Sequence, residues 1–282
     1  MKELHSRGGV LLAALTATAL MSLPRAYLYA RQASCEKEVT REIAAADRKE
    51  LHVETENGGI TARGYEGDAV LMTARMVVTG KKEETCRRLL DEIEFEVHEK
   101  GKKIDIDVDT PSKFGYTVTV SFDLEVPHRM KTELETTNGG IKVEGIYGGV
   151  DTETVNGSIS CRESSGGIKA ETTNGRIELT DITGPIEGNT INGGIDCRFK
   201  GKPPLKIDLE TVNGSIEAAF DQTPDAEVEA STFNGSINIR GTSVKPETAE
   251  PRRRFSTVLG NGSGKFRFET VNGSITLDFE NR

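Results

Sequence analysis

Three glutamates recur at an interval of 18 residues: Glu135, Glu153 and Glu171. Carboxylate oxygens are the ligands that Ca²⁺ prefers, so a regular row of them is a candidate site for a divalent cation. Stacked at the ~4.8 Å spacing of neighbouring strands, two such charges repel by roughly 0.9 kcal/mol in water. Lys142 and Lys169 could offset this repulsion, and so could a basic partner. The simpler interpretation is a row of solvated glutamates.

The other residue types that carry out chemistry show none of the spacings that catalysis or metal binding requires. The four histidines form no pattern such as HExxH, and the four cysteines include no CxxC pair. The glycine-rich stretch at 260–264 opens no helix and is interpreted as a turn. The 5% of aromatic residues include no tryptophan, which leaves few rings for stacking on sugars. We predict no catalytic residue, no cofactor and no metal site beyond the glutamate row.

Composition and charge narrow the class of protein. The chain of 282 residues is 35% hydrophobic and 29% charged, which is typical of a globular protein of one or two domains. A formal net charge of −9 argues against a nucleic-acid partner. The 30 glycines suit many short strands that are joined by tight turns.

Residues 1–30 have the layout of a secretory signal peptide. Lys2 and Arg7 precede an apolar run of 14 residues at 10–23, and small residues such as Ala30 follow. The run is short for a membrane span, which needs ~20 apolar residues. The segment therefore predicts export to the periplasm or cell surface. An uncleaved N-terminal anchor is the alternative, and it would be the only contact with a membrane.

The glutamate row belongs to a repeat, T-x-N-G-[GSR]-I, which occurs eight times. Position +3 from the asparagine is always isoleucine, position −2 is always threonine, and apolar and polar residues alternate on both sides. This period of two predicts two strands that flank a turn, and Asn-Gly suits a turn because both residues tolerate positive φ. The asparagines are Asn57, Asn138, Asn156, Asn174, Asn192, Asn213, Asn234 and Asn272.

Two topologies fit such a repeat: an antiparallel meander, or a coil that stacks on its neighbours. The residues at a given offset from the asparagine are often identical in all repeats. This identity favours the coil, because identical residues in register form ladders. The predicted fold class is therefore all-β, a single-stranded β-solenoid (β-helix) of ~18-residue coils. The repeated turn is interpreted as a structural corner that comprises Thr136, Asn138, Gly139, Thr154, Asn156, Gly157, Thr172, Asn174, Gly175, Thr190, Asn192 and Gly193.

The domain organisation follows from these patterns. After the signal peptide, residues 31–130 are predicted to form an N-terminal β region with one short helix at 81–94, which continues into the solenoid and caps it. Residues 131–282 contain the solenoid repeats, with an insertion at about 241–264. Within the insertion, 255–259 alternates as an edge strand would. The basic triplet 252–254 is a candidate contact point or a solvated loop tip.

The cysteines fall into two pairs. Cys161 and Cys197 share offset +5, two coils apart, so their strands lie ~9.6 Å from each other. A disulfide needs Cα atoms closer than ~7 Å, so both are predicted to be free thiols in the core. An exported protein would permit a bond between Cys35 and Cys86, although the spacing does not demand it.

Several stretches resemble a known family: LHVETENGGITARGYEG at 51–67, FDLEVP at 122–127, and the repeats ETTNGGIKVEG, TETVNGSIS and FETVNGSITLDF. They are similar to the bacterial "putative adhesin" β-strand-repeat family, domain of unknown function 4097, over roughly residues 37–282. The resemblance implies a right-handed β-helix and an exported or envelope-associated protein. The family brings no catalytic residues.

Residues and resemblance together favour a non-catalytic, exported cell-envelope β-solenoid that serves as an adhesin or as a scaffold surface. Its partner would be an envelope polymer or protein. A carbohydrate-active β-helix enzyme and a regulatory module for envelope stress are the alternatives.

Overall fold

Alternation of apolar and polar side chains makes most of this chain β-strand. The computed structural model describes residues 32–241 and 253–279. The predicted signal peptide at 1–30, Arg252 and much of the predicted insertion lie outside the described residues. None of the described residues belongs to a helix that is long and apolar enough to cross a membrane.

The N-terminal region caps the solenoid, because its strands extend both sheets beyond the first repeat. The helix α1 buries Cys86, Leu89 and Leu90 and packs on β1 and β4. The elements are β1 (Ala33–Ala44), β2 (Glu50–Asn57), β3 (Ile60–Tyr65), β4 (Ala69–Gly80), α1 (Glu83–Asp91), β5 (Glu94–Lys100), β6 (Lys103–Asp109) and β7 (Tyr116–Pro127).

Each later repeat contributes two strands that meet at its corner. The first six pairs are β8 (Lys131–Asn138) and β9 (Ile141–Glu144), β10 (Val150–Asn156) and β11 (Ile159–Arg162), β12 (Ile168–Asn174) and β13 (Ile177–Thr180), β14 (Ile186–Asn192) and β15 (Ile195–Phe199), β16 (Lys206–Asn213) and β17 (Ile216–Phe220), and β18 (Ala226–Asn234) and β19 (Ile237–Arg240). The edge strand β20 (Arg254–Leu259) and the last pair, β21 (Gly264–Asn272) and β22 (Ile275–Asp278), follow.

The two strands of each coil lie in two different sheets, which we call sheet A and sheet B. Sheet A has the order β1-β4-β7-β3-β9-β11-β13-β15-β17-β22-β19, and sheet B has the order β20-β18-β21-β16-β14-β12-β10-β8-β2-β6-β5. Strands of successive coils pair in parallel with the repeat columns in register, as Asn156 does with Asn138 and Asn174. The structure is therefore the predicted all-β solenoid.

The last coil does not stack where the order of the sequence would put it. Strands β21 and β22 lie between the coil of β16 and β17 and the coil of β18 and β19. Phe268 and Phe279 are fully buried at this position. Phe279 and Phe266 stack on Phe220, with ring centroids 5.4 and 5.6 Å apart. In sheet B the antiparallel strand β20 covers the outer coil.

The isoleucine column forms the spine of the core. Ile159, Ile177 and Ile195 are fully buried, and each lies directly beside the next in adjacent strands of sheet A. Cys161 and Cys197 lie on either side of Leu179 in the same sheet, and both are free thiols. The predicted inward face and the predicted separation of the two cysteines are confirmed.

The corner glycines are required for a different reason from the one that the sequence suggested. Among the eight corner glycines only Gly58 has a positive φ, of 142°, and no corner asparagine has one. Glycine is required because coils stack closely here: a Cβ on Gly157 would lie 1.8 Å from the carbonyl oxygen of Gly139. Positive φ occurs at the other end of the coil, at Gly145 and Glu163. The prediction of a turn was right, but its explanation was wrong.

Hydrogen bonds between coils lock the corner. The Thr154 hydroxyl donates to the carbonyl oxygen of Gly139 at 3.0 Å, and equivalent bonds recur along the stack. The side-chain amide of Asn156 donates to Asn138 at 2.9 Å, and this ladder runs without a break from Asn57 to Asn234. The repeated Thr and Asn are therefore satisfied by the fold itself.

Candidate functional site

A groove runs across sheet B beside the corners, and two columns of side chains form it. The first consists of the residue three positions before the asparagine of each repeat. We call it the −3 column, and it contains the predicted glutamate row. Glu153 lies in register between Glu135 and Glu171 in neighbouring strands. In stacking order the column is Glu54, Glu135, Glu153, Glu171, Asn189, Glu210, Glu269 and Ser231.

The second column, at offset −1, is apolar and exposed. Alternation places it outward like the −3 column, with the buried threonines between the two. Phe233 is 69% exposed and Ile191 47% exposed, although both are large hydrophobic side chains. The sequence analysis missed this column. Tabulating offset −1 would have found it, because five of its eight members are Val155, Ile191, Val212, Val271 and Phe233.

The groove has a volume of about 1000 Å³ and extends over six coils. Six strands in register span ~24 Å, given the spacing of strands in a sheet. Glu153 lines the groove at one end, and Phe233, Arg253 and Arg254 line it at the other. Two residues of the predicted basic triplet thus contribute to this surface. The arrangement offers an extended partner apolar contacts along one side and polar or charged groups along the other.

Lysine or arginine pairs with three of the six glutamates in the acidic column. The Nζ of Lys169 lies 2.7 Å from Glu171 and holds the pKa of this carboxyl below its usual value. Arg267 bridges Glu210 at 2.9 Å and Glu269 at 2.8 Å. Lys142, the other predicted counter-ion, lies on β9 in sheet A, whereas the glutamates lie in sheet B. That assignment was wrong because strands on either side of a corner belong to different sheets.

Among the described residues, no lysine or arginine lies within ion-pair distance of Glu153. The carboxylate is also exposed, so it remains available to a basic group of a partner. Glu171 and Glu210 are separated by Asn189, whose amide donates to Glu171 at 3.1 Å. Glu153 is thus the acidic residue of the groove that could contribute most to binding.

Within the described chain, side chains with a geometry suited to a metal ion meet outside the groove. Ligand atoms of His52, Glu54 and Glu135 lie within 4.8 Å of one another. His52 lies between two carboxylates, with Asp105 3.3 Å from Nδ1 and Glu135 3.5 Å from Nε2. Both carboxylates therefore already lie beside a ring nitrogen of His52. Of the predicted glutamate row, only Glu135 belongs to this group.

Calcium is expected to leave the stability of the protein unchanged. Ca²⁺ takes six to eight oxygen ligands, whereas Lys169 and Arg267 already neutralise much of the glutamate column. Thermal melting of the protein in millimolar Ca²⁺ should match melting in EDTA, and calorimetry should record no heat of binding. A Ca²⁺-dependent rise in melting temperature that Glu153→Gln abolishes would show that the column binds the cation.

A second, smaller hollow has a volume of about 260 Å³. It is lined by two acidic residues that we compared with the pair of carboxyl groups in a hydrolase. Burial raises the pKa of Asp151, and Glu187 lines the same hollow. The two acids are two strands apart, with Lys169 in register between them. A glycosidase needs an acid that keeps its proton and a second, ionised carboxylate. The raised pKa of Asp151 suits the acid that keeps its proton, although the Lys169 cation beside it opposes this rise.

Comparison with known proteins identifies the fold. Residues 163–278 match the family model Toastrack DUF4097, which confirms the family that the sequence resembled. No curated protein matches this sequence.

The solved structures that match this chain have low sequence identity to it. A putative cell adhesion protein from Clostridium sporogenes is 12% identical, with a TM-score of 0.38, and the match covers 86% of this chain and 99% of that one. A putative adhesin from Bacteroides fragilis is 11% identical, with a TM-score of 0.38 and coverage of 86% and 97%. A putative lipid binding protein from Parabacteroides distasonis is 14% identical, with a TM-score of 0.29 and coverage of 85% and 96%. At these TM-scores, no conclusion about a ligand follows.

Proposed function

We propose that this chain, whose residues 163–278 are of the Toastrack DUF4097 family, is a non-catalytic, exported protein of the cell envelope that binds an extended partner along its groove. The row of exposed apolar side chains beside the acidic column carries the proposal. The protein would act as an adhesin or as a scaffold, with an envelope polymer or protein as its partner.

The apolar column supports binding because four of its members, on adjacent coils, are contiguous: Ile191, Val212, Val271 and Phe233. Single exposed hydrophobic residues are normal on a protein surface, whereas a contiguous row flanked by polar groups is typical of an interaction site. Val212, Val271 and Phe233 lie on three adjacent coils and are 39%, 43% and 69% exposed. A partner that covers them removes apolar surface from water, which is favourable.

The length of the groove favours an extended partner over a compact one. Corresponding groups repeat once per coil, so a polymer that lies across the strands meets similar contacts at each step. The predicted signal peptide at 1–30 supports a location in the periplasm or at the cell surface, where such polymers occur.

Binding to envelope material tests the proposal. The exported protein is titrated with cell-wall polymers, host matrix and whole cells, and compared with the double variant Ile191→Ser, Phe233→Ser. We expect at least a tenfold loss of affinity, because Phe233 and Ile191 present the largest apolar side chains of the column. Val258→Ser is the matched control, since Val258 is 49% exposed but lies outside the groove.

Equal affinity for parent and double variant would contradict the proposal. Hydrolysis of a polysaccharide that Asp151→Asn abolishes would instead support the enzyme, because Asp151 lines the second hollow and burial raises its pKa. A loss of envelope-stress signalling in cells, with polymer binding unchanged, would favour the regulatory module.

A further inference from the structure

The first strand of the chain is weakly held by packing. β1 is the outermost strand of sheet A, and it pairs only with β4 among the described strands. Of its twelve residues, Ile43 alone is buried. An edge strand with so little apolar contact opens more easily than a central one. A covalent link would therefore stabilise this strand.

Two cysteines meet at the place where β1 contacts helix α1. The Cys35 thiol lies 3.7 Å from the carbonyl oxygen of Glu83, the first residue of α1. In the reverse direction, the Cys86 thiol lies 3.7 Å from the carbonyl oxygen of Ala33, in β1. The two side chains thus reach across the same interface toward each other's element. Both are free thiols in this structure.

We propose that Cys35 and Cys86 form a disulfide that fastens β1 to α1, with a small-molecule or protein disulfide as the oxidant. The inference is independent of the groove and of the proposed binding function. Export would supply an oxidising compartment, where disulfides persist, but closure with an added oxidant does not depend on export.

The surroundings of the two thiols indicate which cysteine reacts first with the oxidant. Cys35 is partly exposed. The guanidinium of Arg87 lies near it, and the pKa of Arg87 is raised first by Glu83 and then by Cys35. Because of its exposure, Cys35 is the sulfur that an oxidant in solution reaches first, whereas Cys86 is buried. Burial first, and then contact with Cys35, raise the pKa of Cys86. Cys35 is therefore the attacking residue and Cys86 the resolving one.

The thiol–disulfide exchange consumes one molecule of the oxidant RSSR. The Cys35 thiolate attacks an oxidant RSSR, which forms the mixed disulfide Cys35–S–SR and releases RS⁻. Cys86 then gives its proton to RS⁻, and its sulfur attacks the Cys35 sulfur, which expels the second RS⁻; this thiolate takes up the proton that Cys35 released. Two thiols lose two electrons in total, and RSSR becomes two RSH.

The other two cysteines provide an internal control. Cys161 and Cys197 are buried in the core on either side of Leu179. Burial raises the pKa of Cys161 to about 12, so almost no thiolate is present at neutral pH. Oxidation should therefore leave both of them as thiols.

The test uses the purified full chain, treated with oxidised glutathione or with dithiothreitol, then unfolded and alkylated. After oxidation we expect two alkylated cysteines, 161 and 197, and one linked peptide pair that contains Cys35 and Cys86. We also expect reduction to lower the melting temperature by about 10 °C, given the long loop that the bond closes. Cys35→Ser and Cys86→Ser should melt like the reduced parent under both conditions, whereas Cys161→Ala should keep the redox-dependent difference.

Two results would overturn the proposal. One is four alkylated cysteines after oxidation, because the thiols then do not pair. The other is a stable glutathione adduct on Cys35 with Cys86 alkylated, because Cys86 then fails to resolve the mixed disulfide. The mass of the linked peptides is read from the parent protein, so the outcome does not depend on whether a variant folds.

Discussion

Gly139→Ala is expected to lower the free energy of unfolding by about 3 kcal/mol, which is at the upper end of overpacking effects. The new Cβ would lie 1.9 Å from the carbonyl oxygen of Gly58 and 2.4 Å from its carbon. The two coils cannot separate freely, because the Thr136 hydroxyl donates to this oxygen at 2.9 Å and Gly58 N–H donates to Asn138 at 2.9 Å. Urea unfolding of parent and variant measures the difference.

The neighbouring glycine is the matched control. A Cβ on Gly140 would lie 3.2 Å from the nearest heavy atom, the carbonyl oxygen of Ser158. Other coils carry Ser158 and Arg176 at this position, so a side chain is tolerated there. Gly140→Ala should therefore change stability by less than about 1 kcal/mol. If the two alanine variants unfold at the same urea concentration, close stacking is not what requires glycine at Gly139.

Ile177→Ala is expected to cost about 2–5 kcal/mol of stability, the usual range for truncation of a large core side chain. Ile177 is fully buried and lies between Ile159 and Ile195 of the adjacent coils. Alanine would leave a cavity that both neighbouring coils border, and their paired strands limit collapse around it. Thermal and urea unfolding of the purified proteins measure the loss.

Glu178→Ala is the control for this position. Glu178 follows Ile177 in the same strand but faces solvent. A surface substitution of this kind usually changes stability by less than about 0.5 kcal/mol. A melting temperature for Ile177→Ala within one degree of the parent would contradict the role of the isoleucine column in the core.

The sequence was sufficient to predict the architecture because the motif that indicates it occurs eight times. Alternation around Asn-Gly separates inward from outward positions, and identity within columns identifies which residues stack. From these two patterns follow the solenoid, the buried row at Ile177 and the unpaired thiols at Cys161 and Cys197. All three depend on periodicity, which is a property of the chain itself.

The groove could be predicted only in part. The −3 glutamates were placed outward correctly, but the assignment of Lys142 as their counter-ion failed because a corner sends it to the other sheet. Lys169 was placed correctly, since it shares a strand and a face with Glu171. A residue's neighbours within one strand can be read from the sequence, whereas its neighbours across a corner require the path of the chain.

The tertiary structure alone decided what depends on contacts between distant segments. Strands β21 and β22 lie between two earlier coils, with Phe268 and Phe279 fully buried there, and no spacing in the sequence encodes this order. The contact between Cys35 and Cys86 likewise requires β1 to meet α1. Periodicity determines which face of a strand a side chain occupies, but only folding determines which other strand lies beside it. That is why this sequence predicts its coils, whereas only the folded chain shows their order, the groove and the meeting of Cys35 and Cys86 at one interface.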